Sequence, residues 1–130
     1  MKSASADKQP HEYRIYVIEL DEAVWDRPRM RGRNPERRMD KPCLYVGYTV
    51  HTPEHRLQQH KSGDHDAPIV RQFGLELKPR LYDNAQVTNS RLDAERAEAH
   101  WANHLRRKGF GVWEGRLGPV QPTRKADVAP

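Results

Sequence analysis

The sequence predicts a small α/β domain: a mainly antiparallel sheet of about three strands, with a short and a long helix packed against it. Two segments dense in aromatic and β-branched residues, Tyr13 to Leu20 and Cys43 to Val50, read as strands. An apolar stripe of 3.6-residue period begins just after Ser90 and reads as the long helix. The 130 residues hold one core with tails, since a second core would need roughly another 50 to 100 residues.

Taken in order, residues 1–11 lack apolar periodicity and read as a disordered tail before a domain over residues 12–115. YRIYVIEL has apolar side chains at both odd and even positions, as a central strand needs. The stretch Arg27 to Lys41 follows, with Pro28, Gly32 and Pro35 expected to break any regular element, and CLYVGYTV then returns as the second strand of a long-looped hairpin. Thr52 before Pro53 is a helix start, because the threonine oxygen caps the first turn and proline at the first helical position gives up an already unpaired N–H. That helix should run from Pro53 to Lys61 and stop before Gly63. Residues 67–73 suggest another helical turn, and LELKPRLYD, Leu75 to Asp83, an edge strand marked by Pro79.

Ser90, with Asp93 three residues on, opens the long helix, which closes with Arg106, Arg107 and Lys108 against its negative end and Gly109 beyond. FGVW, residues 110–113, reads as a short strand or docking segment, and residues 116–130 as a second disordered tail.

Composition narrows the functional classes. Hydrophobic residues make up 35% and charged residues 32%, so the core is small. No apolar run approaches the roughly 18 residues of a membrane span, and Met1 to Pro10 has no signal-peptide core. No membrane association is expected, and a cytoplasmic location is. The lone Cys43 rules out an intrachain disulfide and a Cys-rich zinc cage. The net charge of +5 is local: Arg27, Arg29, Arg31, Arg33, Arg37, Arg38 and Lys41 stand against Glu36 and Asp40, while the remaining residues carry 16 charges of each sign. Such an arginine stripe is suited to a polyanion, because guanidinium forks match phosphate.

In the long helix Ala94, Ala97, Trp101 and Leu105 form the apolar stripe, and Glu98 lies inside it. A carboxylate aimed at a core is costly unless paired, hydrogen-bonded or bound to a cation, so Glu98 is a candidate site residue or an edge residue paired with an arginine. Arg56 and His60 share a face of the short helix. Tyr16 and Tyr45 sit mid-strand, and antiparallel pairing would let both hydroxyls emerge on one side of the sheet. The histidine pairs His51 with His55 and His100 with His104 form no HExxH pattern, which argues against zinc.

In this order, RIYVIEL, LYVGYT, Arg56 in HRLQQH and Glu98 in AERAEAHWANHL resemble the GIY-YIG endonuclease superfamily over most of residues 13–115. The two triplets correspond to RIY, ending in Tyr16, and YVG, starting at Tyr45. Arg14 stands where the family has its first glycine, and the 28 residues between Tyr16 and Tyr45 exceed the family's usual spacer. The excess is read as an Arg-rich insertion, residues 27–41, able to touch DNA beyond the core.

The resemblance implies a metal-dependent endonuclease that hydrolyses phosphodiester bonds in DNA, with RNA not excluded. It implies Glu98 as ligand of one Mg2+ or Mn2+, with Glu95 as runner-up. Tyr16 would be general base or orienter of the attacking water, Arg56 the phosphate clamp, Tyr45 a hydrogen-bond partner of phosphate or water, and His60 an auxiliary proton carrier. Tyr48, where some members place a lysine, would be a nucleic-acid contact. The alternative is a non-catalytic nucleic-acid-binding module of the same fold.

Overall fold

The computed structural model describes residues 11–62 and 68–115. The expected tails, apart from His11 at the end of the first, and the expected helix stop at Gly63 lie outside the described residues.

β1 (Arg14–Leu20) is buried on both faces from Ile15 to Ile18, as that run of four apolar residues requires. It pairs antiparallel with β2 (Cys43–Thr49) over its whole length, Tyr16 opposite Gly47 and Ile18 opposite Tyr45. The sheet has four strands in the order β3-β1-β2-β4, one more than the sequence suggested. β3 (Gly74–Leu77) is antiparallel to β1 and forms one edge. The expected edge strand over Leu75 to Asp83 is cut short, because Pro79 starts a 3-10 turn, Pro79–Leu81. The other edge is β4 (Gly111–Glu114), which runs parallel to β2 and makes the sheet mixed. The expected short strand over residues 110–113 is this β4, while its parallel pairing is set by long-range contact that carries no local turn signal.

The Arg-rich segment also departs from expectation. A 3-10 turn, Glu22–Asp26, leads into helix α1 (Pro28–Arg33), so Pro28 and Gly32 break nothing there. Pro28 occupies the first helical turn, where its missing N–H has no cost, and a Cβ at Gly32 would meet nothing within 4 Å.

α2 (Pro53–Ser62) starts as the sequence predicts, with Thr52 Oγ1 accepting the His55 N–H at 3.1 Å. α3 (Pro68–Phe73) follows, and α4 (Arg91–Arg107) opens with Ser90 Oγ accepting the Asp93 N–H at 3.1 Å. Gly109, at φ 98°, turns the chain out of α4 in the left-handed region.

The sheet separates two clusters. On one face Tyr16, Ile18, Leu20, Cys43 and Tyr45 pack with Val24, Met30, Ile69 and Val70. On the other, Ile15, Val17, Leu44, Val46 and Val112 pack against Ala102 and Leu105 of α4. Among the described residues no strand pairs with the outer side of β4, and Asn34 takes that place. Its Oδ1 accepts the Val112 N–H at 2.8 Å and its Nδ2 donates to the Val112 carbonyl at 3.0 Å. One buried amide thus answers the backbone donor and acceptor that an edge exposes.

Candidate active site

The site lies where the sheet is incomplete. β4 pairs with Cys43 to Val46 only, its last backbone bond running from the Gly115 N–H to the Val46 carbonyl at 2.8 Å. The Gly47 to Thr49 end of β2 therefore has β1 on one side and a cleft of about 560 Å³ on the other. The cleft joins the two faces of the sheet around this end, so residues from both clusters can line it.

From the α2 face come Tyr16, Tyr45, Arg56 and His60; from the α4 face come Tyr48, Glu95 and Glu98. Every catalytic candidate singled out in the sequence lies in this one cleft, and so does Tyr48.

Two glycines give it shape. A Cβ at Gly47 would stand 2.6 Å from Tyr16 Oη and 2.7 Å from Cζ, so the glycine of YVG is where the tyrosine ring crosses β2. Gly115, at φ 47°, has the Glu98 carboxylate over it, and a Cβ there would lie 2.9 Å from Oε2. Between Ala94 and Ala102, both fully buried, Glu98 is half-buried and faces the end of β4. Glu95 sits further toward the rim, its Oε2 accepting from Tyr48 Oη at 3.2 Å and facing Arg91 Nε at 3.4 Å. Glu98 thus stands closer to Tyr16 in its influence, as its charge raises the Tyr16 pKa and that of Glu95 does not figure.

The tyrosine and histidine form one unit. Tyr16 Oη and His60 Nε2 share a buried hydrogen bond of 2.8 Å, and the rings of Tyr16, Tyr45 and His60 lie 5.8 to 6.2 Å apart. Burial, reinforced by the neighbouring Tyr45 hydroxyl, holds the Tyr16 pKa well above the ordinary phenol value; Arg56 pulls the other way but does not prevail. Burial therefore outweighs the nearby guanidinium, and at neutral pH this side chain is a phenol.

Arg56 is steadied by Thr49, whose Oγ1 accepts from its Nε at 3.3 Å and from the His51 N–H at 2.9 Å. Thr49, Gly115 and Asn34 carry no motif, and the sequence reading missed them. The periodicity gave one usable signal, since Thr49 alternates with Gly47 along β2.

The Arg-rich segment is elsewhere: none of its seven basic residues lines the cleft. Arg37 is folded inward, its side chain 1% exposed, paired with Glu22 at 2.7 Å, donating to the Lys41 carbonyl and lying 4.7 Å over Trp25. Arg33 faces the buried Glu114, which Arg106 holds at 2.6 Å. Lys41 lies over Phe110. Arg27, Arg29, Arg31 and Arg38 also have intramolecular partners, in Gln72, Trp113, the Trp25 carbonyl and Asp40, but remain exposed. Arg14, in place of the family's glycine, points to solvent beside Glu12, so this position tolerates a long side chain.

Among the described residues no three His, Cys, Asp or Glu side chains cluster as metal ligands. A single carboxylate in an open cleft is a donor set that fits an oxygen-preferring cation such as Mg2+, which keeps most of its waters.

A mixed sheet that gathers phenol, imidazole, guanidinium and carboxylate at one broken edge is an α/β domain equipped to handle a phosphate ester. The family model described as the GIY-YIG catalytic domain matches residues 13–110, and the chain belongs to the GIY-YIG endonuclease superfamily. The family is one of nucleases acting on nucleic acid, and its members generally use divalent metals. No curated protein and no solved structure matches the chain. No helix among the described residues is long and apolar enough to cross a membrane.

Proposed function

We propose that the chain is an endonuclease that hydrolyses phosphodiester bonds in DNA at the Tyr16, His60, Arg56 and Glu98 cleft. The observation that carries this reading is the buried 2.8 Å bond between Tyr16 and His60, opening into the cleft that Arg56 and Glu98 also line. A lone buried tyrosine would be a poor base, since a water would have to give its proton to a group that itself holds one. Coupled to His60, the phenol accepts the water's proton as its own passes to Nε2, and neither oxygen need carry a lasting charge.

Arg56, oriented by Thr49, offers its guanidinium to a non-bridging oxygen of the scissile phosphate, where negative charge grows in the transition state. Tyr45, on the same face as Tyr16, hydrogen-bonds the phosphate or the incoming water. Glu98 would hold one Mg2+ or Mn2+ beside Gly115. When bound, that ion supplies electrostatic stabilisation of the leaving 3′-oxygen. The exposed Arg27, Arg29, Arg31 and Arg38 would add backbone contacts to DNA outside the cleft. Activity in the cytoplasm is part of the same reading.

The test is cleavage of supercoiled plasmid and of a branched oligonucleotide by wild type and Glu98→Gln, with Mg2+, with Mn2+ and with chelator. Metal-dependent cutting that is lost in the variant is expected. Binding without cutting by both proteins would instead assign the chain to a binding role.

A further inference from the structure

The mouth of the cleft is lined by aromatic rings that the chemistry above does not use. Ile15 pairs with Tyr48 across β1 and β2, so Tyr13, two residues before Ile15, shares their face. The Tyr13 and Tyr48 rings meet edge to face at 5.7 Å and 68°, and His11 meets Tyr13 likewise at 6.2 Å and 74°. All three line the same cleft as Tyr16 and Glu98. The Tyr48 hydroxyl donates to Glu95, and Glu95 is paired with Arg91, which fixes the ring from its polar end. Tyr13 is held at its backbone by a two-way pairing with Thr88, at 2.8 and 3.1 Å.

Rings fixed in this way and left half-buried in a phosphate-handling cleft present flat apolar surface to whatever flanks the phosphate. In a nucleic acid the group one bond-length scale away from the phosphate is a sugar carrying a base, and every base has a π-face that stacks on tyrosine. A base inside a duplex is already covered by its neighbours; only an unpaired one has a face to offer.

We propose that Tyr13 and Tyr48, with His11 at the outer end, form a stacking platform for an unpaired nucleobase next to the scissile phosphate. The preferred substrate is then a nucleic acid with unpaired bases at the cut, such as a fork, flap or loop. Arg91 stands beside the platform to receive the neighbouring phosphate. This inference rests on the endonuclease reading and adds the substrate class.

The experiment uses the full chain in chelator, with a forked oligonucleotide carrying 2-aminopurine in its unpaired arm and a fully paired duplex of the same sequence. On binding wild type, the 2-aminopurine fluorescence is expected to fall, and the fork to bind about tenfold more tightly than the duplex, the scale of one stacked base. Tyr13→Leu and Tyr48→Leu should each lose the quench and most of the preference, while Tyr13→Phe keeps both. Circular dichroism checks that each variant is folded, and the wild-type titration decides by itself if the leucine variants are not. Equal binding of fork and duplex, or a quench that persists in a folded leucine variant, overturns the platform and leaves the nuclease reading standing. Binding of neither substrate overturns both.

Discussion

The Arg-rich segment and the cleft hold the same kinds of charged group under opposite conditions. Between Arg27 and Lys41 two of the cations turn toward their own chain: Arg37 is sealed between Glu22, the Lys41 carbonyl and the Trp25 ring, and Arg33 leans on Glu114. In the cleft, Arg56, Glu98 and Arg91 stand around open space, and their protein contacts orient them without filling it. Charge density along a sequence therefore does not by itself mark the cations that line a cleft. The decisive quantity is how much of each charged group's hydrogen-bonding capacity the fold has already used.

The contrast can be broken most severely at the cleft. Glu98→Gln and Tyr16→Phe should each lower the cleavage rate about 100-fold or more, the range of a lost acid–base or charge-stabilising group. Thermal unfolding of Glu98→Gln should stay close to wild type, and a variant that cuts normally would end the comparison.

Gly47→Ala comes next. Its Cβ would press within 2.6 Å of Tyr16 Oη, so about 1–3 kcal/mol of stability should be lost, with a greater loss of cutting per folded molecule. Urea unfolding and initial rates on one preparation separate the two effects. On the other side of the contrast, Asn34→Ala should cost about 1–3 kcal/mol in urea unfolding, since it strands the Val112 N–H and Arg106 Nε, while the Val112 carbonyl keeps its bond from Arg106 Nη2. Its DNA affinity, measured on folded protein, should not change.

The two smallest effects sharpen the picture. Burial pushes the Cys43 thiol up to about 11 although the nearby Arg37 opposes it. Because the folded pKa lies above the unfolded value, this thiol contributes stability below about pH 9 that is lost as pH rises through 11. Arg37→Met should raise the thiolate midpoint further, read from the 13Cβ chemical shift of labelled Cys43; an unchanged midpoint would mean that Arg37 does not act inward. Arg38→Ala, on an ion pair with both side chains more than 60% exposed, should change stability by less than about 0.5 kcal/mol.

The sequence exposed those parts of the protein whose causes are local. The caps at Thr52 and Ser90, the stop at Gly109 and the pairing of the two Tyr-bearing strands follow from side chains acting on neighbouring backbone or from alternation. Glu98 stood out because a charge interrupts an apolar stripe, although the stripe is centred on Ala94, Ala102 and Leu105 more than on Ala97 and Trp101. The segment of β4 was legible as a short strand, but its parallel pairing with β2, the Asn34 clip and the Gly115 shelf were hidden, since each depends on a partner 60 or more residues away or on a surface that exists only after folding. Pro28 misled for another reason: a residue that disrupts a helix interior is harmless at its start.

The break in the sheet beside Gly47 has a consequence in time. Tyr16, Tyr45, Arg56 and His60 leave the ribosome before Glu98, and the Gly115 shelf leaves later still. A nascent chain can thus assemble its tyrosine hairpin well before it has a carboxylate to complete the site or an edge strand to support it. The set of residues that lines the cleft is therefore complete only once Glu98 and Gly115 have been made.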